Sequence, residues 1–179
     1  SPIVNRYYLQ GAIKKYGCDY KTTRDAIVKD TSVSFVDEIE SFVEERGIAH
    51  KSEIMAEFTS LSEASLGQVI SRCSNVFNID AGNNIHASLF DIQPSDYDEI
   101  RPILQDLTKD VPVNIRLLSD ELMTSCPDFF WRNDFEDRNK LFAALNFMFA
   151  TEYSFSRPYI ARLGAGEVSN RSVILQHIK

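Results

Sequence analysis

The side chains able to do chemistry are scattered through this chain. His50, His86 and His177 lie in three different stretches, and none has a second His, a Cys or a carboxylate at metal-ligand spacing. Cys18, Cys73 and Cys126 are far apart and odd in number, which argues against a disulfide framework and fits a reducing compartment. Pairs of acids such as Asp98 with Glu99 and Glu44 with Glu45 fall where solvated helix faces are expected. There is no glycine loop to cradle phosphate, no nucleophile elbow and no HExxH motif. No enzyme activity, cofactor, metal or small-molecule substrate is therefore expected. What remains is ionic and polar recognition.

Four groups of side chains are candidates for it. Lys14, Lys15, Lys21 and Arg24 gather around Tyr16 and Tyr20, a mixture of cations and rings that suits a nucleic-acid backbone or an acidic protein face. Arg157 and Arg162 flank Pro158, whose fixed bend would present Arg157 outward to phosphate. Gln68 and Arg72, beside Ser65 and Ser71, are the candidate base-reading pair of one helix. Arg138, Asn139, Lys140 and Asn146 are the polar residues of another. Against these stands an acidic background: the net charge is -7, and residues 31–93 hold three Lys or Arg against ten Asp or Glu. Residues 94–151 hold six against eleven, so a phosphate-facing surface must draw on the two ends.

The elements that would position these groups follow from periodicity. In residues 35–90, Phe35, Val36, Ile39, Phe42 and Val43 predict a first helix closed by Gly47. Ile54, Met55 and Phe58 predict a short second one. Ser62 caps a third carrying Leu66, Val69, Ile70 and Cys73, with Cys73 as core filling. The period then changes to two through Val76, Phe77 and Ile79, and again through Ile85, Ala87 and Leu89. The Gly- and Asn-containing stretch 81–84 turns the chain between them. Helix, short helix, helix and hairpin is the plan of a winged helix-turn-helix, in which the third helix would enter a major groove.

A similar order returns after Pro94. Ile100, Ile103, Leu104 and Leu107 predict a first helix, and Val113 to Met123 a second. An insertion over 125–134 holds Phe129, Phe130 and Trp131, all three expected in the core or between units. A long third helix carries Leu141 to Phe149, and residues 153–160 alternate as another wing. Residues 3–16 and Arg24–Lys29 predict two amino-terminal helices, and Val168 to Ile178 a carboxy-terminal one. The expected fold class is α+β, mainly helical, with tandem winged helix-turn-helix units and short β-hairpin wings. Residues 1–33 form a helical segment, 34–93 unit one, 94–163 unit two, and 164–179 a terminal helix or the start of a further unit. The apolar stretches fall short of the roughly 20 residues of a membrane span. No secretory leader precedes Ser1, which points to a cytoplasmic piece of a longer protein.

Three stretches, Arg6 to Lys15 (RYYLQGAIKK), Tyr20 to Asp30 (YKTTRDAIVKD) and Phe155 to Gly164 (FSRPYIARLG), carry a resemblance to a known family. The chain resembles the tandem winged-helix segments of bacterial proteins that also carry a sigma-factor-like helix-turn-helix. The resemblance implies a cytoplasmic, transcription-associated regulator without a cofactor, and it transfers no catalytic or base-reading residue. The expected function is DNA binding or transcription regulation, with duplex DNA, RNA polymerase or another regulatory protein as partner. The alternative is a protein-interaction scaffold of winged-helix repeats without direct nucleic-acid contact.

Overall fold

The first helix, α1 (Phe35–Arg46), starts where Ser34 accepts from the Asp37 N–H at 3.2 Å while the Asp37 carboxylate takes the Ser34 N–H, a reciprocal cap. It stops at Gly47, whose φ of +72° is a conformation L side chains rarely adopt. A Cβ there would also lie 2.9 Å from a Leu89 methyl. A computed structural model describes residues 34–164 in full, and beyond them only the backbone of two short strands, β1 (Tyr20–Thr22) and β2 (Ile27–Lys29). The expected helices at 3–16 and 168–178 lie outside the described residues.

The strand β2 corrects the helix expected over Arg24–Lys29. It pairs antiparallel with β1, Thr22 opposite Ile27 and Tyr20 opposite Lys29. The β-branched Ile27 and Val28 favour a ladder over a helix.

After α1 come β3 (Ile48–His50), α2 (Lys51–Glu57), α3 (Glu63–Ile70), and the hairpin β4 (Val76–Asn78) with β5 (Asn83–His86). A 3-10 turn over Ala87–Leu89 leads on to α4 (Pro94–Leu107), β6 (Val113–Asn114), α5 (Ile115–Ser125), α6 (Pro127–Arg132), α7 (Arg138–Phe149), β7 (Tyr153–Ser156) and β8 (Tyr159–Arg162). Among the described residues the fold is thus α+β, with seven α-helices and two antiparallel three-stranded sheets. Both sheets have the same plan, the last strand lying between the other two: β3-β5-β4 and β6-β8-β7. None of these helices is long and apolar enough to cross a membrane.

The strands β3 and β6 lie outside the periodic pattern, since two or three residues are too few to alternate. Each adds an edge to a predicted hairpin, Ile48 opposite Ile85 and Val113 opposite Ile160.

Buried apolar side chains form two clusters, and their border does not follow the joint at Pro94. The smaller holds Ile39, Val43, Ala49, Ile54, Leu66 and Val76. The larger joins Ile100, Leu104, Leu118, Leu122, Phe129, Phe135, Leu141 and Phe149 to Ile79, Ile85 and Ala87 of the first hairpin. Successive strand residues face opposite ways, so Val76 enters one cluster while its neighbour Phe77 packs against the other. Phe77 meets Phe147 of α7 edge-on with ring centroids 6.1 Å apart.

The aromatic run on α6 divides. Phe129 and Phe130 are buried, but Trp131 is 55% exposed, correcting its assignment to the core. On so short a helix the inward direction is taken by Phe129, Phe130 and Asn133, and Trp131 points away, its edge against Phe130. Leu117 and Met123 of α5 are likewise exposed, while Leu118 and Leu122 are buried.

The turn of the first hairpin is held by Asp80, whose carboxylate accepts from the Gly82 N–H at 2.8 Å, the Asn83 N–H at 2.7 Å and the Asn83 amide at 2.7 Å. Those donors, the Asn83 side chain first, hold the Asp80 carboxyl down at about 2 against an ordinary 3.8. A depressed carboxyl stabilises the fold above its unfolded value and loses that contribution as pH falls through the folded one. The stability difference between the natural protein and Asp80→Asn should therefore shrink as pH falls from 3.8 to about 2. Denaturant titrations at stepped pH check this, and a constant difference would refute it. A Cβ on Gly82 would lie 2.2 Å from the ring nitrogen Nε2 of His50, whose Nδ1 accepts from the Ser52 N–H as the cap of α2. Moving that ring breaks the cap, so Gly82→Ala should cost about 1 kcal/mol. A thermal melt should register it as a drop of about 2–4 °C.

Candidate functional site

Among the described residues, the groups singled out from the sequence are not brought together. Lys14, Lys15 and Arg24 lie outside the described residues, and Lys21 sits in β1 opposite Val28, with only its backbone described. Gln68 and Arg72 lie at the end of α3 and just beyond it, both exposed, and among the described residues Arg72 forms no ion pair. The start of the same helix is already neutralised, because Lys51 Nζ sits 2.5 Å from Glu63. Ser71 is spent locally, donating to the Gln68 carbonyl at 2.9 Å.

The long helix expected to present the second polar set offers less. Most of α7 is enclosed: Leu141, Phe142, Ala143, Ala144, Leu145, Met148 and Phe149 are buried. What it leaves open is a narrow side with Asn139 and Phe147 exposed. Of its polar residues, Arg138 lies 3.9 Å from Asp120, and Lys140 and Asn146 are half-buried.

Arg157 is turned onto the protein itself. One guanidinium nitrogen donates to the Ile79 carbonyl at 3.1 Å and the other to the Asn78 carbonyl, and the head lies 5.2 Å from the centre of the Phe142 ring. Burial of that head lowers its pKa, though it stays charged. These donors hold the turn between β7 and β8 against the end of β4, so they are not aimed at solvent phosphate. Arg162, at the end of β8, remains exposed and forms no ion pair among the described residues.

The described histidines cap local turns, and of the described cysteines Cys126 is buried and Cys73 half-buried. His50 and His86 each accept a backbone N–H through Nδ1, from Ser52 and Ser88 respectively, both at 3.2 Å. Burial, with Glu40 and Asp37 nearby, pushes the Cys73 thiol up to about 11, so it is protonated at neutral pH. Among the described residues no three His, Cys, Asp or Glu side chains are grouped to hold a metal.

One surface feature escaped the periodic reading. Between the outer stripe of α1 and the end of α2 runs a groove of about 480 Å³ lined by Asp37, Glu38, Ser41, Phe42, Glu45, Glu57 and Phe58. Its floor is an edge-to-face pair, Phe42 and Phe58, with centroids 5.7 Å apart. Glu38, Ser41, Phe42 and Glu45 recur at three- and four-residue steps, the signal that places them on one helical stripe. Phe42 reads as core in that stripe, and only the position of Phe58 reveals that it is half-buried at a groove. Across the described residues 34–164 eleven Lys or Arg face 22 Asp or Glu, a formal charge of -11.

Removing Arg157 strands two carbonyls and frees the β7–β8 turn. Arg157→Ala should destabilise the protein by about 1–2 kcal/mol, and Arg157→Lys should recover only part, because an ammonium lacks the fork. The midpoint of urea unfolding measures both, and an Arg157→Ala midpoint equal to the natural one would refute the role. No family model matches this chain, and comparison with curated proteins finds no match.

Proposed function

We propose that this chain is a non-enzymatic protein-docking module built from two winged-helix units, acting within a larger regulatory protein. The observation that carries this reading is the fate of the elements a nucleic-acid binder would present. The β3-β5-β4 sheet has apolar residues of both faces in the two clusters, seven of the twelve residues of α7 are buried, and Arg157 is bonded to backbone carbonyls. A winged unit that reads DNA keeps its third helix and its wing open to the duplex. Electrostatics supports the same reading, since the described residues 34–164 carry 22 acids against eleven bases, a balance that repels phosphate.

Contact between duplex DNA and α3, through Gln68 and Arg72, is the second reading, favoured by their exposure. Anisotropy of a labelled duplex with the full chain, measured across salt concentrations, separates the two. For a docking module, Gln68→Ala, Arg72→Ala and Arg162→Ala should each change duplex affinity by less than about twofold. A roughly tenfold loss with Arg72→Ala, together with a salt slope flatter by about one, would establish DNA contact instead.

A further inference from the structure

We infer that the groove between α1 and the end of α2 receives an arginine-bearing segment of a protein partner. This rests on the docking reading and supplies the chemistry of the partner. The groove combines two features that are ordinarily apart. Its floor is aromatic, with Phe42 edge-on to Phe58 and Phe35 edge-on to Phe58 in turn at 6.4 Å. Its rim is acidic, with Glu38, Glu45 and Glu57 all exposed.

Among the described residues these rim charges are little used by the fold. Glu38 and Glu57 take part in no ion pair among the described residues, and Glu45 has only a 3.9 Å approach to Arg46, both side chains being well exposed. Asp37, the fourth acid, is committed to Ser34, accepting its hydroxyl at 2.7 Å. An apolar floor ringed by Glu38 and Glu57, without an ion pair among the described residues, and by Glu45, held only at 3.9 Å by Arg46, is complementary to one kind of side chain. A guanidinium lays its flat face on an aromatic ring and offers its N–H edge to carboxylates in the same plane. The protein already contains half of that arrangement: Arg46 stacks its guanidinium carbon 3.6 Å from the centre of the Phe42 ring.

The same features choose among partners. A nucleic acid brings stacking bases but also phosphates, which the exposed carboxylates of the rim repel. An apolar helix would fill the floor and leave the rim acids facing nothing. A segment with arginines spaced to straddle α1 and α2 satisfies both parts of the groove.

The test uses the full chain and a fluorescein-labelled peptide of alternating arginine and glycine, beside a counterpart with citrulline in place of arginine. Citrulline keeps the shape of the side chain and loses the charge. Binding of the arginine peptide, absent for the citrulline peptide, is expected. The triple variant Glu38→Gln, Glu45→Gln, Glu57→Gln should weaken it by about tenfold or more, the effect of removing three exposed charge partners. A control triple with the same charge change in the second unit, Asp106→Asn, Asp110→Asn and Asp128→Asn, should change it by less than twofold. Ser41→Arg places a cation of the protein's own in the groove and should block the peptide while leaving the thermal melt in place. Equal losses from the two triples would show attraction by net charge alone and overturn the inference, as would no binding of the arginine peptide. Neither result touches the docking reading, which fails separately if Arg72→Ala abolishes salt-sensitive duplex binding.

Discussion

Two layers of helices lean on one small sheet, and a three-residue strand supplies side chains to each. Val76 of β4 lies among Ile39, Val43 and Leu66, and Phe77 beside it packs toward α7 and the larger cluster. On the partner strand Ile85 enters the larger cluster, while Asn84 and His86 are buried polar residues on the alternate positions. A sheet buried on both faces cannot lose one side without exposing apolar surface, at roughly 25 cal/mol per Å². The two halves are thereby coupled through a shared element rather than through a linker.

Polar contacts then fix the orientation that burial leaves loose. The Asn133 side chain is buried with all its bonds made, accepting the Asp91 N–H at 2.7 Å and donating to the Asp91 and Phe129 carbonyls, both at 3.0 Å. Arg132 beside it reaches the buried Asp96 at 2.6 Å and the Asp91 carbonyl at 3.0 Å. The connection at 91–96 is thus bolted to the end of α6, and Arg157 fastens the second hairpin to the first from the other side. Buried polar groups satisfied in this way select one arrangement, because any other leaves a donor or carboxylate unpaired in low dielectric.

This rigidity bears on function. A helix or hairpin contributes to recognition only where a face is left open: α3 keeps Gln68 and Arg72 exposed, whereas most of α7 is buried and Arg157 is bonded to the first hairpin. The exposed surface is instead dominated by carboxylates. Where such charge adjoins half-buried rings, as at Phe42 and Phe58, it has the composition of an interface for a cationic protein segment rather than for a polyanion.

Most helices from Phe35 onward and the cores of both hairpins are written in local sequence, since caps such as Ser34 and Ser62 and the switch from three- and four-residue spacing to two act within a few residues; α6 lies where only an insertion is expected, and the alternation expected through Ala87 and Leu89 gives way to a 3-10 turn. The α+β class and the acidic character of the middle follow from that same local information. Other features depend on neighbours far away in the chain. Whether Arg157 faces solvent or the Ile79 carbonyl, 78 positions distant, is decided by where β4 ends in space. Likewise Trp131 is exposed while Phe129 and Phe130 are buried, and α7 is covered on most of its sides, because the surrounding elements determine how many sides of each helix are covered. Residue type sets the cost of burial, and tertiary packing decides which side chains incur it.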